Sequence, residues 1–210
     1  MAERGETKAR IYDCALRLFS RDGYAATSMG AIADAVGIRK ATLYSHVSGK
    51  EELFTALFEQ ILEEHASFVA RLTAPNQKLS LRDHLLTILR SYVDYNHHSL
   101  KMAFWDQCFY SPPEPLRTSI CRRTEASTAD FIRRLTDLIS RAVPQGRSPG
   151  SSFSPFIQAQ TFYYLMMGFA MSRGINGIEQ LLEPCFEVFF RGNLAGFATE
   201  PPPLPSSLNR

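Results

Sequence analysis

An all-α fold follows from three features of the sequence. Apolar residues recur three and four positions apart through nearly every segment. No stretch of any length alternates apolar and polar residues as a half-buried strand would. Glycine, proline and hydroxyl residues fall where those segments end and begin. Together they predict about nine helices. Residues 1–47 form a small three-helix head, residues 48–198 a larger helical body, and residues 199–210 a proline-rich tail. A helix over 49–72 links head and body.

Composition narrows the class. Apolar residues make up 45% of the 210, ordinary for a globular chain. No apolar run reaches the roughly 18 residues that would span a bilayer, and MAERGETKAR at the start is polar. The expectation is a soluble cytoplasmic protein with no membrane partner. Cys14, Cys108, Cys121 and Cys185 are scattered, with no CxxC pair, so buried or half-buried thiols are expected rather than zinc or disulfides. The net charge of +2 is uneven: residues 1–50 hold eight Lys/Arg against five Asp/Glu, and residues 51–210 hold fifteen against sixteen. A basic head on a near-neutral body suits an anion-binding head.

The first helix is expected over Glu6–Arg21, with Ile11, Ala15, Leu18 and Phe19 on its apolar face and Gly23 as its C-terminal cap. Tyr24 to Ala26 connect it to a second helix, whose start carries the N-cap types Thr27 and Ser28. Ile32, Ala33 and Val36 share a face, Gly37 permits a sharp turn, and Ile38, Leu43 and Val47 resume the apolar pattern. This spacing predicts a helix-turn-helix. Its opposite face carries Arg39, Lys40, Thr42, Tyr44, Ser45 and His46. Arg39 has the fork that fits a guanine edge, Lys40 reaches a base or a phosphate, and Thr42 and Tyr44 suit phosphate contact. The bland alternative for each is a solvated helix face.

Ser48 with Glu51 reads as a capping box opening the fourth helix, with Leu53, Leu57, Ile61, Ala66 and Phe68 on or near its buried face. TAPNQKLS breaks the chain. A fifth helix is expected over about 80–96 (Leu81, Leu85, Ile88, Leu89, Tyr92, Tyr95), and a sixth over 99–109 (Phe104, Trp105, Phe109). SPPEP stops the sixth and starts a seventh over 114–142 (Leu116, Ile120, Phe131, Leu135). PQGRSPGSS over 144–152 reads as a flexible loop. Ser154-Pro155 opens an eighth helix to Ser172, apolar nearly all round and so expected to be buried on several sides. RGING ends it, and Pro184 is expected to open a ninth helix to Gly192. The tail EPPPLPSSLNR is expected to be disordered.

The run from Tyr24 to Leu53 resembles the DNA-binding segment of the TetR family of bacterial transcriptional regulators. The residues that carry the resemblance are Tyr24, Thr27-Ser28, Ile32-Ala33, Ala35-Val36-Gly37-Ile38, Leu43-Tyr44, His46, Lys50 and Leu53. It covers about the first quarter of the chain. Val47 departs from the usual Phe, Val36 from a common Ala, and Arg39 from a small hydroxyl residue that often caps the recognition helix. The resemblance implies that Thr27 and Lys50 grip phosphates, that the body binds a small effector, and that the chain pairs as a homodimer through its last two helices.

The residues agree with these implications. A helix N-terminus such as that at Thr27 attracts anions. Phe156, Phe162, Met166, Phe186, Phe189 and Phe190 are the candidate dimer contacts, since such apolar helices need a partner. Phe68, Tyr92, Tyr95, Phe104, Trp105, Phe109, Phe131, Tyr163 and Met167 are candidate walls for an apolar or aromatic effector, with Gln107 as a polar fixer. The function expected is that of a ligand-responsive repressor binding a palindromic double-stranded DNA operator. No nucleophile elbow, phosphate loop or zinc motif points to an enzyme, and no cofactor is implied. Two alternatives stand: a metal-responsive regulator using Asp94, His97 and His98, with His65 or His84 from neighbouring helices, and a helical interaction protein without DNA binding.

Overall fold

The computed structural model describes residues 2–142 and 153–194, so the expected 144–152 loop and the 199–210 tail lie outside the described residues. Among the described residues there are nine α-helices and no strand. They are α1 (Ala2–Ala26), α2 (Met29–Val36), α3 (Lys40–Tyr44), α4 (Lys50–Leu72), α5 (Leu81–His98), α6 (Leu100–Tyr110), α7 (Arg117–Ala142), α8 (Pro155–Met171) and α9 (Ile178–Leu194). A single 3-10 turn, Glu114–Leu116, precedes α7.

The chain divides into two compact units, residues 1–68 with 98–128, and residues 69–97 with 129–210. This division runs differently from the boundary expected at residue 47. The three head helices share a unit with most of α4, all of α6 and the start of α7. The reason is apolar continuity. Phe19 of α1, Phe54 of α4 and Phe104 of α6 are all fully buried, and their rings meet at 5.0 Å (Phe19–Phe54) and 4.7 Å (Phe54–Phe104). The Gln107 side-chain amide of α6 also donates to the Ser20 carbonyl of α1 at 2.8 Å.

In the second unit, α8 pairs with α9 through Phe162, Phe186 and Phe189, with ring centroids 5.5–6.4 Å apart. Arg82 of α5 donates to the buried Glu187 carboxylate of α9, and the His84 ring meets the Leu72 carbonyl at 3.0 Å. Tyr92, Phe131 and Tyr163 form a chain of buried rings across α5, α7 and α8.

Several expectations are corrected. α1 is assigned through Ala26, but Gly23 inside it has φ 80° and ψ 169°, so the helix breaks where the cap was expected and Tyr24–Ala26 add one further turn. Glu52, not Glu51, reaches back to the Ser48 backbone N–H and hydroxyl. On α4 Ala66 is exposed, and the buried stripe runs through His65 and Val69 instead. α9 begins six residues before Pro184, which lies inside it. A proline in a helix interior costs about 3 kcal/mol. Leu182, buried on the same side as Phe186, Phe189 and Phe190, extends the apolar stripe upstream and offsets that cost. α8 is not buried all round: Phe156, Ile157, Tyr164 and Met171 are exposed. The turn between α8 and α9 uses left-handed glycines at Gly174 and Gly177.

Candidate nucleic-acid interface

The helix-turn-helix is assembled from α2, the turn at Gly37 and α3. Ser28 caps α2, its hydroxyl oxygen accepting from Ala31 N at 3.0 Å. Gly37 ends α2 at φ 77°, and its N–H reaches the Ala33 and Asp34 carbonyls. A side chain there would force a left-handed backbone on an L-residue. Ala33 is 2% exposed, which explains why a small residue stands there. Ile32, Val36, Leu43 and Val47 bury the underside. Arg10 of α1 donates to the Val36 carbonyl at 2.6 Å, tying the first helix to the turn. No sequence pattern pointed to Arg10, because its partner is a main-chain oxygen.

α3 is only five residues long. Arg39 is its N-cap and makes no side-chain capping bond, which leaves the guanidinium on the exposed face. Lys40, Thr42 and Ser45 are exposed, and Tyr44 is 46% exposed. His46 is half-buried at the end of the turn. Ser45 donates its hydroxyl to the Thr42 carbonyl at 2.7 Å. Arg39, Lys40, Thr42 and Tyr44 therefore form a polar, partly basic outer face over an apolar floor.

The flanking residues Thr27 and Lys50 are engaged with main-chain carbonyls. Thr27 is 2% exposed and donates its hydroxyl to the Gly23 carbonyl at 2.8 Å, so its side chain braces the α1–α2 connection and is not presented to a phosphate. The Lys50 ammonium donates to the Tyr24 carbonyl at 2.9 Å and the Thr27 carbonyl at 3.0 Å. It also lies 4.2 Å from the centre of the Tyr24 ring. Lys50 is a strut from the start of α4 to the α1–α2 connection. Tyr24 in turn packs edge-on against Phe54 at 5.1 Å.

The residues expected around an effector fall into two groups. Phe68, Phe104, Trp105, Gln107 and Phe109 belong to the first unit. There Trp105 stacks on Phe58 and on His65, the latter at 4.7 Å. Burial holds the His65 imidazolium well below its ordinary range, at about 4. Tyr92, Tyr95, Phe131, Tyr163 and Met167 belong to the second unit.

Of the expected dimer contacts, Phe162, Met166, Phe186, Phe189 and Phe190 are buried within the chain itself, and only Phe156 is exposed. The outward face of α8 and α9 instead carries Tyr164, Leu165, Leu181, Cys185 and Val188, with Val188 71% exposed. Leu165, Leu181, Cys185 and Val188 line an apolar groove of about 680 Å³. Two of the alternative metal ligands, His84 and His97, meet main-chain carbonyls. A His97 ring nitrogen meets the Phe169 carbonyl at 3.0 Å, and among the described residues no three His, Cys, Asp or Glu stand close enough to hold a metal ion.

Comparison with known proteins agrees with this geometry. The profile of the bacterial regulatory proteins of the tetR family matches residues 11–57, which span the core of α1 through the start of α4. The HTH-type transcriptional regulator AcrR of Shigella flexneri is 37% identical over 105 residues. Residues 11–57 therefore carry the DNA-binding segment of the tetR family. The AcrR alignment spans 48% of each chain, about half of that relative's length. The HTH-type regulator TtgR of Pseudomonas putida is 26% identical over 153 residues, 70% of this chain and 71% of its own. Among solved structures, AibR in complex with isovaleryl coenzyme A and operator DNA superposes with a TM-score of 0.65 at 20% identity, covering 89% of this chain and 99% of that one. A SmeT–triclosan complex superposes with a TM-score of 0.67 at 18% identity, covering 96% and 100%. These two likenesses establish the TetR fold of the chain.

No helix among the described residues is long and apolar enough to cross a membrane.

Proposed function

We propose that this chain is a DNA-binding transcriptional repressor of the TetR family whose reading surface is Arg39, Lys40, Thr42 and Tyr44 on α3, with Ser45 and His46 at its edge. The observation that carries this reading is the exposed polar face of a short helix seated on a buried floor of Leu43 and Val47, behind a left-handed turn at Gly37. One such helix reads only a few bases, so two copies on a palindrome are required for specificity. The exposed apolar face of α8 and α9 supports a homodimer, because a bare Val188, Leu181 and Tyr164 gain by covering one another.

The effector is a small, mostly apolar molecule bound in the body. AibR with isovaleryl coenzyme A and SmeT with triclosan support a small-molecule partner of this kind. A ligand that binds one head spacing better than another shifts the population between them, and DNA affinity follows. Fluorescence anisotropy with the DNA upstream of the chain's own gene tests the reading. Binding should weaken steeply with salt and be lost in Lys40→Ala/Tyr44→Ala. Binding that ignores both salt and the double substitution refutes it.

A further inference from the structure

The unit that carries α2 and α3 contains a cavity of about 510 Å³ between the end of α1, Phe54 of α4 and the Ser111–Pro115 segment after α6. That volume suits a small organic ligand. Its walls are apolar and flat: the Tyr24 and Phe54 rings and the rings of Pro112, Pro113 and Pro115.

The polar groups around it are biased toward acceptors. The three prolines have no N–H to offer. The Ser111 N–H is spent on the Gln107 carbonyl at 2.9 Å, and one of the two Gln107 side-chain N–H groups on the Ser20 carbonyl at 2.8 Å. Asp22 and Glu114 add two carboxylates to the lining, and the lining holds no basic side chain. Their partners, Arg21 and Arg117, lie outside it; the Arg21 fork meets both Asp22 oxygens, and Arg117 meets Glu114 through Oε2 alone. A carboxylate accepts more than one donor, so both retain capacity. The Tyr24 and Ser111 hydroxyls serve as donor or acceptor. The same end of α1 already holds one ammonium, that of Lys50, on two carbonyls and the Tyr24 ring.

We infer that this cavity is a binding site for a small arylalkylammonium ion, with the ring between Tyr24, Phe54 and the prolines and the charge directed to Asp22 and Glu114. The site lies within one unit of one chain and needs neither DNA nor a second copy. Tyr24 forms part of its wall and also holds Lys50, so an occupant sits one side chain away from the strut at the start of α4.

Isothermal titration of the full chain with 2-phenylethylammonium, and with the neutral 2-phenylethanol, tests the assignment. The ammonium should bind saturably at one per chain, at least tenfold more tightly than the alcohol. Asp22→Asn/Glu114→Gln should remove most of that preference. Ala25→Phe, at an exposed lining position, should block the cavity and abolish binding without lowering the melting temperature. The inference is overturned if the ammonium shows no saturable binding, if the alcohol binds as well, or if Ala25→Phe binds like the unmodified chain.

Discussion

Lys50→Met separates two roles for one residue. Methionine keeps the length and apolar stem but removes the ammonium that joins the Tyr24 and Thr27 carbonyls and faces the Tyr24 ring. Hydrogen bonds from a charged donor contribute about 1.5–3 kcal/mol each in buried settings, and half-burial at Lys50 reduces this to about 1 kcal/mol each. A partly exposed cation–π contact adds about 0.5–1 kcal/mol. The expected loss is therefore about 2–3 kcal/mol, which lowers the melting temperature of a chain this size by roughly 4–12 °C. A phosphate-gripping lysine behaves differently. Its removal leaves the melting temperature in place and flattens the slope of log affinity against log salt by about 0.9 for each copy bound. The two assays, thermal unfolding and DNA anisotropy across a salt series, thus discriminate. The strut predicts a clear drop in melting temperature with an unchanged salt slope. A Lys50→Met chain that melts within a degree of the unmodified one and loses a unit of salt slope for each copy bound refutes it.

Three other outcomes follow from the geometry. Gly37→Ala imposes φ 77° on a residue with a Cβ and should cost about 1–2 kcal/mol, read as a lower urea midpoint, together with loss of DNA binding. Val188→Asp places a charge on the exposed face of α9 and should convert a dimer to a monomer in sedimentation velocity; an unchanged sedimentation coefficient counts against that face as the contact. His65 is held neutral by burial, with its folded value near 4 against an ordinary 6.5, so the unfolded chain binds the extra proton between those limits. Stability is then indifferent to His65 above pH 6.5 and falls as pH drops toward 4, by about 2 kcal/mol at pH 5. His65→Phe, which keeps the stack on Trp105, should remove that part of the acid sensitivity in urea titrations at pH 7 and pH 5.

What could be read from the sequence depended on whether the physical partner was local. The helix-turn-helix was readable because its requirements are set within a few residues. A left-handed turn needs a residue such as Gly37, a close crossing needs one such as Ala33, and the floor needs Ile32, Val36 and Leu43 in phase. The number and order of the helices were readable for the same reason. The partners that could not be read share a different cause. Thr27 and Lys50 are residue types that suit a phosphate, but their donors end on main-chain carbonyls 4, 23 and 26 residues away, and a carbonyl leaves no mark in the sequence. The phase of α8 and α9 was lost because both are apolar on more than one side, so periodicity does not say which aromatic faces inward. Once Phe186, Phe189 and Phe190 are seen to bury against Phe162, helical geometry puts Leu181, Cys185 and Val188 on the other side. The apolar surplus leaves an exposed apolar face, and that face belongs to the residues out of phase with the phenylalanines. A dimer contact sought on Phe186 would disrupt the chain's own core, whereas one sought on Val188 tests association alone.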